Sequence, residues 1–175
     1  MSSAAAAGSP GKSALSDLFL ELAGTRRVLE RVPEDRFDWR PHPRSMSLGH
    51  LADHLADLPQ LALVLLGYDA LDLAAIPPPR TALPGSRAAV LQRFDANVAA
   101  LREAFEAVDD DAMGALWTLR RGDETIARMP RAAGMRSMFV SHMIHHRAQL
   151  TVYLRLLDVP LPTLYGPTAD EPSGA

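Results

Sequence analysis

Four stretches of the 175-residue chain repeat apolar side chains at three- and four-residue steps, a period that only helices packed on one another satisfy. The first runs from about Ser13 to Arg31, with Leu15, Leu18, Phe19, Leu22 and Leu29 on one side, and Pro33 closes it. The second, from near Leu48 to about Leu66, carries Leu51, Leu55, Leu58, Leu61 and Leu65, with Ser45 or Ser47 as its N-cap. Pro59 removes one backbone donor from this helix and is expected to kink or break it. The third, about Arg87 to Val108, places Val90, Leu91, Phe94, Val98, Leu101 and Phe105 on one face. The last and longest runs from about Met135 to Leu157. Its stripe reads Met135, Met138, Phe139, His142, His146, Gln149, Leu150, Tyr153 and Leu157.

Between residues 115 and 131 the period changes, and "WTLRRGDETIARMP", with "GD" at its middle, suits a small hairpin lying against the helices. "IPPPRTALPGS" reads as a rigid loop. The Ala- and Ser-rich residues 1–12 read as a disordered tail, residues 13–167 as one domain and residues 168–175 as a frayed end, with Leu161, Leu164 and Tyr165 docked on the helices. Apolar residues make up 47% and charged residues 22%, as in an ordinary soluble domain. A net charge of −3 with scattered arginines argues against a nucleic-acid partner. No apolar run reaches the roughly 18 to 20 residues of a membrane span, and the expected location is cytoplasmic.

The histidines are the anomaly. His142 and His146 are four apart on the apolar stripe of the last helix, which stacks their rings close enough to chelate one ion. His145 falls off that stripe. His50 and His54 form a second pair at the same spacing on the second helix. The chain has no cysteine, so a metal would have to use His, Asp, Glu or backbone oxygen. One histidine from the second helix and two from the last would give three nitrogens with positions left open, the arrangement of a catalytic rather than a structural site. The plainer alternative is a set of hydrogen-bonded core histidines. His42, between two prolines, belongs to a surface loop, and Arg147 to an ion pair across helices. Gln149 either orients water or substrate or bonds a neighbouring helix. Asp53, next to a candidate ligand, points elsewhere.

The segments "SLGHLADHLADLP" and "SHMIHHRAQLTVYLRLLDVPLPTLYGPTADE", with "RFDWRPHPRSMS" before the former, resemble the DinB-like (YfiT-like) superfamily over about residues 13 to 171. The resemblance implies an all-α, up-down-down-up four-helix bundle, here with a small hairpin or irregular insertion before the last helix. It implies a divalent metal, Zn or Ni first and Fe or Mn next, on His54, His142 and His146. His50 stands where that pattern requires no ligand, and is left as a fourth or supporting one. Ala148 stands where such relatives commonly have Gly.

Some relatives use their metal to activate a low-molecular-weight thiol such as bacillithiol or mycothiol. The resemblance therefore implies a thiol-dependent S-transferase, with a small electrophile as second substrate and a homodimer as its assembly. A chain without cysteine would have to take its sulfur from such a cosubstrate. Metal-assisted hydrolysis and a non-catalytic metal- or small-molecule-binding stress protein are the alternatives.

Overall fold

The computed structural model describes residues 11–78 and 81–171. After a 3₁₀ turn (Lys12–Leu15) come α1 (Leu18–Leu29), α2 (Leu48–Gly67), α3 (Arg87–Ala107) and a short α4 (Asp110–Gly114). The last helix begins as α5 (Arg131–Gly134), passes through a π-helical turn (Met135–Ser141) and continues as α6 (His142–Leu156). Helix α1 packs on α3 and α6, and α2 packs on the same two, so the four long helices close a ring around the core. Buried leucines from the stripes of α1 and α2 meet Phe94 and Leu101 of α3 and Phe139, Met143, Leu150 and Leu154 of the last helix.

The starts of α2 and α3 follow from capping chemistry. Ser47 caps α2 by accepting from the His50 amide, and Ser86 caps α3 by accepting from Ala89 N at 3.0 Å. The break expected at Pro59 does not occur. Helix α2 runs through this buried proline without interruption, because Leu58, Ala62 and Pro59 itself are buried in the core and hold the turn together. The other end of α2 is closed by one side chain far along the chain. The buried Arg131 guanidinium donates to the carbonyls of Leu65, Leu66 and Tyr68, and to Asp69 and the Ala112 carbonyl.

The chain is mostly helical but not all-α, which corrects the fold class read from the sequence. The expected hairpin is present as β2 (Leu116–Arg121) and β3 (Glu124–Pro130), turning at Gly122, whose φ of 59° suits glycine. A third strand, β1 (Ala70–Asp72), pairs parallel with β2, giving the order β1-β2-β3. Strand β1 is three residues long and directly follows α2, so no local alternation marks it.

Leu161 and Leu164 pack on the core as expected, whereas Tyr165 is largely exposed and reaches α1 through its hydroxyl, which donates to Glu21. Residues 168–171, read as part of a frayed end, are tied back. Asp170 pairs with Arg155, Glu171 with Arg31 at 2.6 Å, and Thr168 Oγ1 donates to Leu161 O at 3.1 Å. Lys12, read as tail, donates from its backbone to Asp110 Oδ1 at 2.8 Å. The Gly11 carbonyl accepts from Ala14 N at 3.1 Å, and residues 1–10 and 172–175 of the two tails lie outside the described residues. Among the described residues no helix is long and apolar enough to cross a membrane.

Candidate metal centre

Helices α2 and α6 bring His54, His142 and His146 together, with one nitrogen of each inside a 4.8 Å cluster. The Nε2 atom of His142 is 3.4 Å from that of His54 and 2.8 Å from that of His146. All three rings are half-buried. The fully buried line of α6 is instead Met143, Arg147, Leu150 and Leu154. His142 and His146 therefore flank the core stripe rather than lie on it, which corrects the sequence reading and leaves them reachable from a cleft.

The hydrogen bonds around the rings decide where their protons sit. His142 Nδ1 lies 3.3 Å from the Met138 carbonyl oxygen, which can only accept, so that nitrogen carries hydrogen and Nε2 carries the lone pair. His146 Nδ1 lies 2.7 Å from Gln149 Oε1, with the same consequence. Two neutral rings anchored in this way turn lone pairs towards each other and cannot bond one another; a cation between them resolves the conflict. Burial pushes the pKa of His54 down to about 4, with the His146 and His142 rings adding to the shift. Burial lowers His142 and His146 as well. The rings are thus held in the neutral form that ligates metal.

The donor set fits a divalent ion. A tetrahedral ion with bonds of about 2.0 to 2.1 Å has ligand-to-ligand edges of about 3.3 to 3.4 Å. The observed separations, 2.8 Å, 3.4 Å and no more than 4.8 Å, spread around that value. Three rings also leave part of the coordination sphere to another molecule. Met138 belongs to the π-helical turn directly before His142, a departure from regular helix that is frequent at functional sites.

The other sequence candidates fall outside the cluster. His50, offered as a further ligand, uses both ring nitrogens elsewhere: Nδ1 accepts from Ser47 Oγ at 2.9 Å and Nε2 donates to Thr81 O at 3.1 Å. Gln149, offered as an orienter of water or substrate or as a bond to a neighbouring helix, has its side-chain oxygen 2.7 Å from His146 Nδ1. It anchors His146, one turn back on the same helix. His145 is exposed, with its ring centroid 4.9 Å from that of His146. His42 is exposed in its loop and accepts from Arg44 N at 3.1 Å. Asp53 and Asp57 both pair with Arg93 of α3, the Asp57 contact being 3.0 Å. Arg147 makes the expected ion pair across helices, with Glu21 of α1.

Two cavities meet at the cluster. One of about 410 Å³ is lined mainly by polar residues, among them His50, Asp53 and His54, with the exposed Arg40 at its rim. The other, of about 750 Å³, includes His54 and His142 but is otherwise walled mainly by aliphatic side chains. Sequence reasoning missed the Met138 carbonyl, because a backbone atom leaves no mark in residue type. It missed the larger cavity because Leu61 reads as core-facing in a periodicity argument.

The fold and site together define a helical protein with a tri-histidine cluster suited to a metal ion. Residues 20–150 match the model of the DinB superfamily, and the chain belongs to that superfamily. Its fold is similar to that of a DinB-like protein from Bacillus cereus ATCC 10987, at 18% identity and a TM-score of 0.69, over 88% of this chain and 97% of that one. It is also similar to the DinB-like protein YjoA of Bacillus subtilis, at 15% identity and a TM-score of 0.66, over 87% of this chain and 96% of that one. Comparison with curated proteins finds no match.

Proposed function

We propose that His54, His142 and His146 hold a divalent metal ion, zinc or nickel before iron or manganese. On this reading the protein is a metal-dependent enzyme that joins a low-molecular-weight thiol to a small electrophile, an S-transferase or a close relative. The observation that carries the reading is the convergence of three Nε2 atoms, two of them with the opposite ring nitrogen already committed. A bound divalent ion would supply the positive charge that lowers the pKa of a coordinating thiol. The remaining work belongs to the chain. The Met138 carbonyl and Gln149 hold the rings in register, and partial burial keeps them neutral.

The absence of cysteine favours a borrowed sulfur over an internal one. The two cavities bordering His54 are consistent with two substrates. Metal-assisted hydrolysis has less support, since it calls for a carboxylate base near the ligands, and Asp53 and Asp57 are both engaged by Arg93.

The test is elemental analysis of protein purified without a histidine tag, beside His54→Ala, followed by assay with a panel of thiols and electrophiles. About one metal per chain, lost in His54→Ala, and turnover that needs both a thiol and the metal are expected. Metal-replete protein that conjugates no thiol would overturn the transferase, and wild-type protein that takes up no divalent ion would overturn the metal centre.

A further inference from the structure

One face of α2 changes character at His54. Positions 50, 54, 57, 61 and 64 follow at steps of four and three, so they share that face. Towards the N-terminus it borders the polar cavity; beyond Asp57 it turns aliphatic and borders the cavity of about 750 Å³. There Leu58, Leu61 and Val64 form one wall, and Leu71, Leu73 and Ile76, from β1 and the turn after it, form another. Met138 completes the lining. The residue whose carbonyl anchors His142 thus also contributes its side chain to this cavity.

We propose that this larger cavity binds an uncharged apolar group, an alkyl chain or aromatic ring system, and so selects the electrophile presented to the histidine cluster. The assignment deepens the thiol-transferase reading and rests on it only for the word electrophile. The cavity's size lies within the range of about 300 to 1,000 Å³ common for small-molecule sites. Its polar lining is His54, Asp57, Gln60, Ser137 and His142, two of which belong to the cluster. Among the described lining residues there is no lysine or arginine to meet an anion, and stripping water from an unpaired charge is costly.

The wall formed by residues 71–76 is a built one. The Asp72 carboxylate accepts from Ala74 N and from Gly122 N, each at 2.9 Å, tying the turn after β1 to the β2–β3 turn. Parallel pairing of β1 with β2 fastens the same segment to the same hairpin. The polar cavity across His54 offers the contrasting environment, with Arg40 at its rim, so an apolar group has one side of the cluster to prefer.

The test uses the neutral fluorophore N-phenyl-1-naphthylamine on the full chain, with zinc content measured in parallel. Ile76→Asp, at an exposed position, and Leu61→Asp are each expected to weaken the probe at least tenfold. Zinc per chain should be unchanged and the melting temperature of Ile76→Asp should stay at the wild-type value. Displacement should strengthen from 1-butanol to 1-octanol, with octanesulfonate at least tenfold weaker than 1-octanol. Probe affinity unchanged in both variants, or octanesulfonate competing as well as 1-octanol, would overturn the assignment. His146→Ala, at a cluster residue outside the described lining of this cavity, separates the two claims, since loss of zinc with retained probe binding is the expected pattern. A wild-type chain that binds the probe as described but takes up no zinc would remove the metal centre and leave the cavity standing.

Discussion

An imidazole can ligate through one nitrogen only if its proton is kept on the other, and two contacts of this chain impose that state. Of these, Gln149 is a side chain that substitution can remove. Gln149→Ala frees the His146 ring to turn and to change tautomer, and is expected to weaken metal binding about 10- to 100-fold, read by competition with a chelator. His50→Ala is the control at equal sequence spacing. It should leave metal affinity unchanged and cost about 1 kcal/mol in chemical denaturation, because its contacts are a cap and a loop carbonyl. Acid should destabilise the metal-free protein in a defined window. His54 in the folded chain has a pKa of about 4 against an ordinary 6.5, so between those values the unfolded chain binds more protons. Stability is therefore present above about 6.5 and is lost as pH falls towards 4, and the lowered His142 and His146 act in the same direction. Urea midpoints of metal-free protein across that range, compared with His54→Ala, check the sign.

At the scale of elements, what periodicity could see was the helices and the hairpin. The apolar steps of α2, α3 and the last helix mark their extents to within a residue or two, apart from the start of the last helix at Arg131. The hairpin shows itself through "GD", because a tight turn needs a residue at positive φ and Gly122 supplies it. Strand β1 was not legible, since the strand it pairs with, β2, lies more than forty residues away. Nor was the π-helical turn, whose extra residue per turn is too small a shift to detect in seven residues. The closure of α2 by Arg131 belongs here too, for it joins the end of one helix to the start of another. Arg131→Ala strips donors from the carbonyls of Leu65, Tyr68 and Ala112, that of Leu65 in the buried interior, and is expected to cost at least about 3 kcal/mol in urea denaturation. Arg131→Lys should restore only part of this, as one ammonium cannot span carbonyls that a fork reaches.

Across the whole molecule, α1, α6 and the C-terminal segment meet at a buried charge. Arg147 pairs with Glu21, donates to the Glu21 carbonyl at 2.8 Å, and contacts the Tyr165 hydroxyl, which donates to Glu21 at 2.6 Å. Burial and the neighbouring Glu21 carboxylate push the Tyr165 pKa up. Glu21→Ala leaves the guanidinium buried without its counter-charge and is expected to cost about 3 to 5 kcal/mol, measured by thermal or chemical unfolding. Because Arg147 directly follows His146, the same variant should also loosen the metal centre, which chelator competition would detect.

The amino-acid sequence by itself determined the four helical stripes, the i, i+4 histidine pair of α6 and a donor set without sulfur, since each is a local matter of residue type and spacing. It offered His50 and His54 at equal spacing on α2, and likeness to the family singled out His54. Only the tertiary structure decided that His54 reaches the α6 pair while His50 is bound to Ser47 and Thr81. It alone set the histidines beside the buried stripe and raised the β1 wall opposite α2. Local period fixes which residues share a helix face; the rotation of one packed helix against another decides what that face meets.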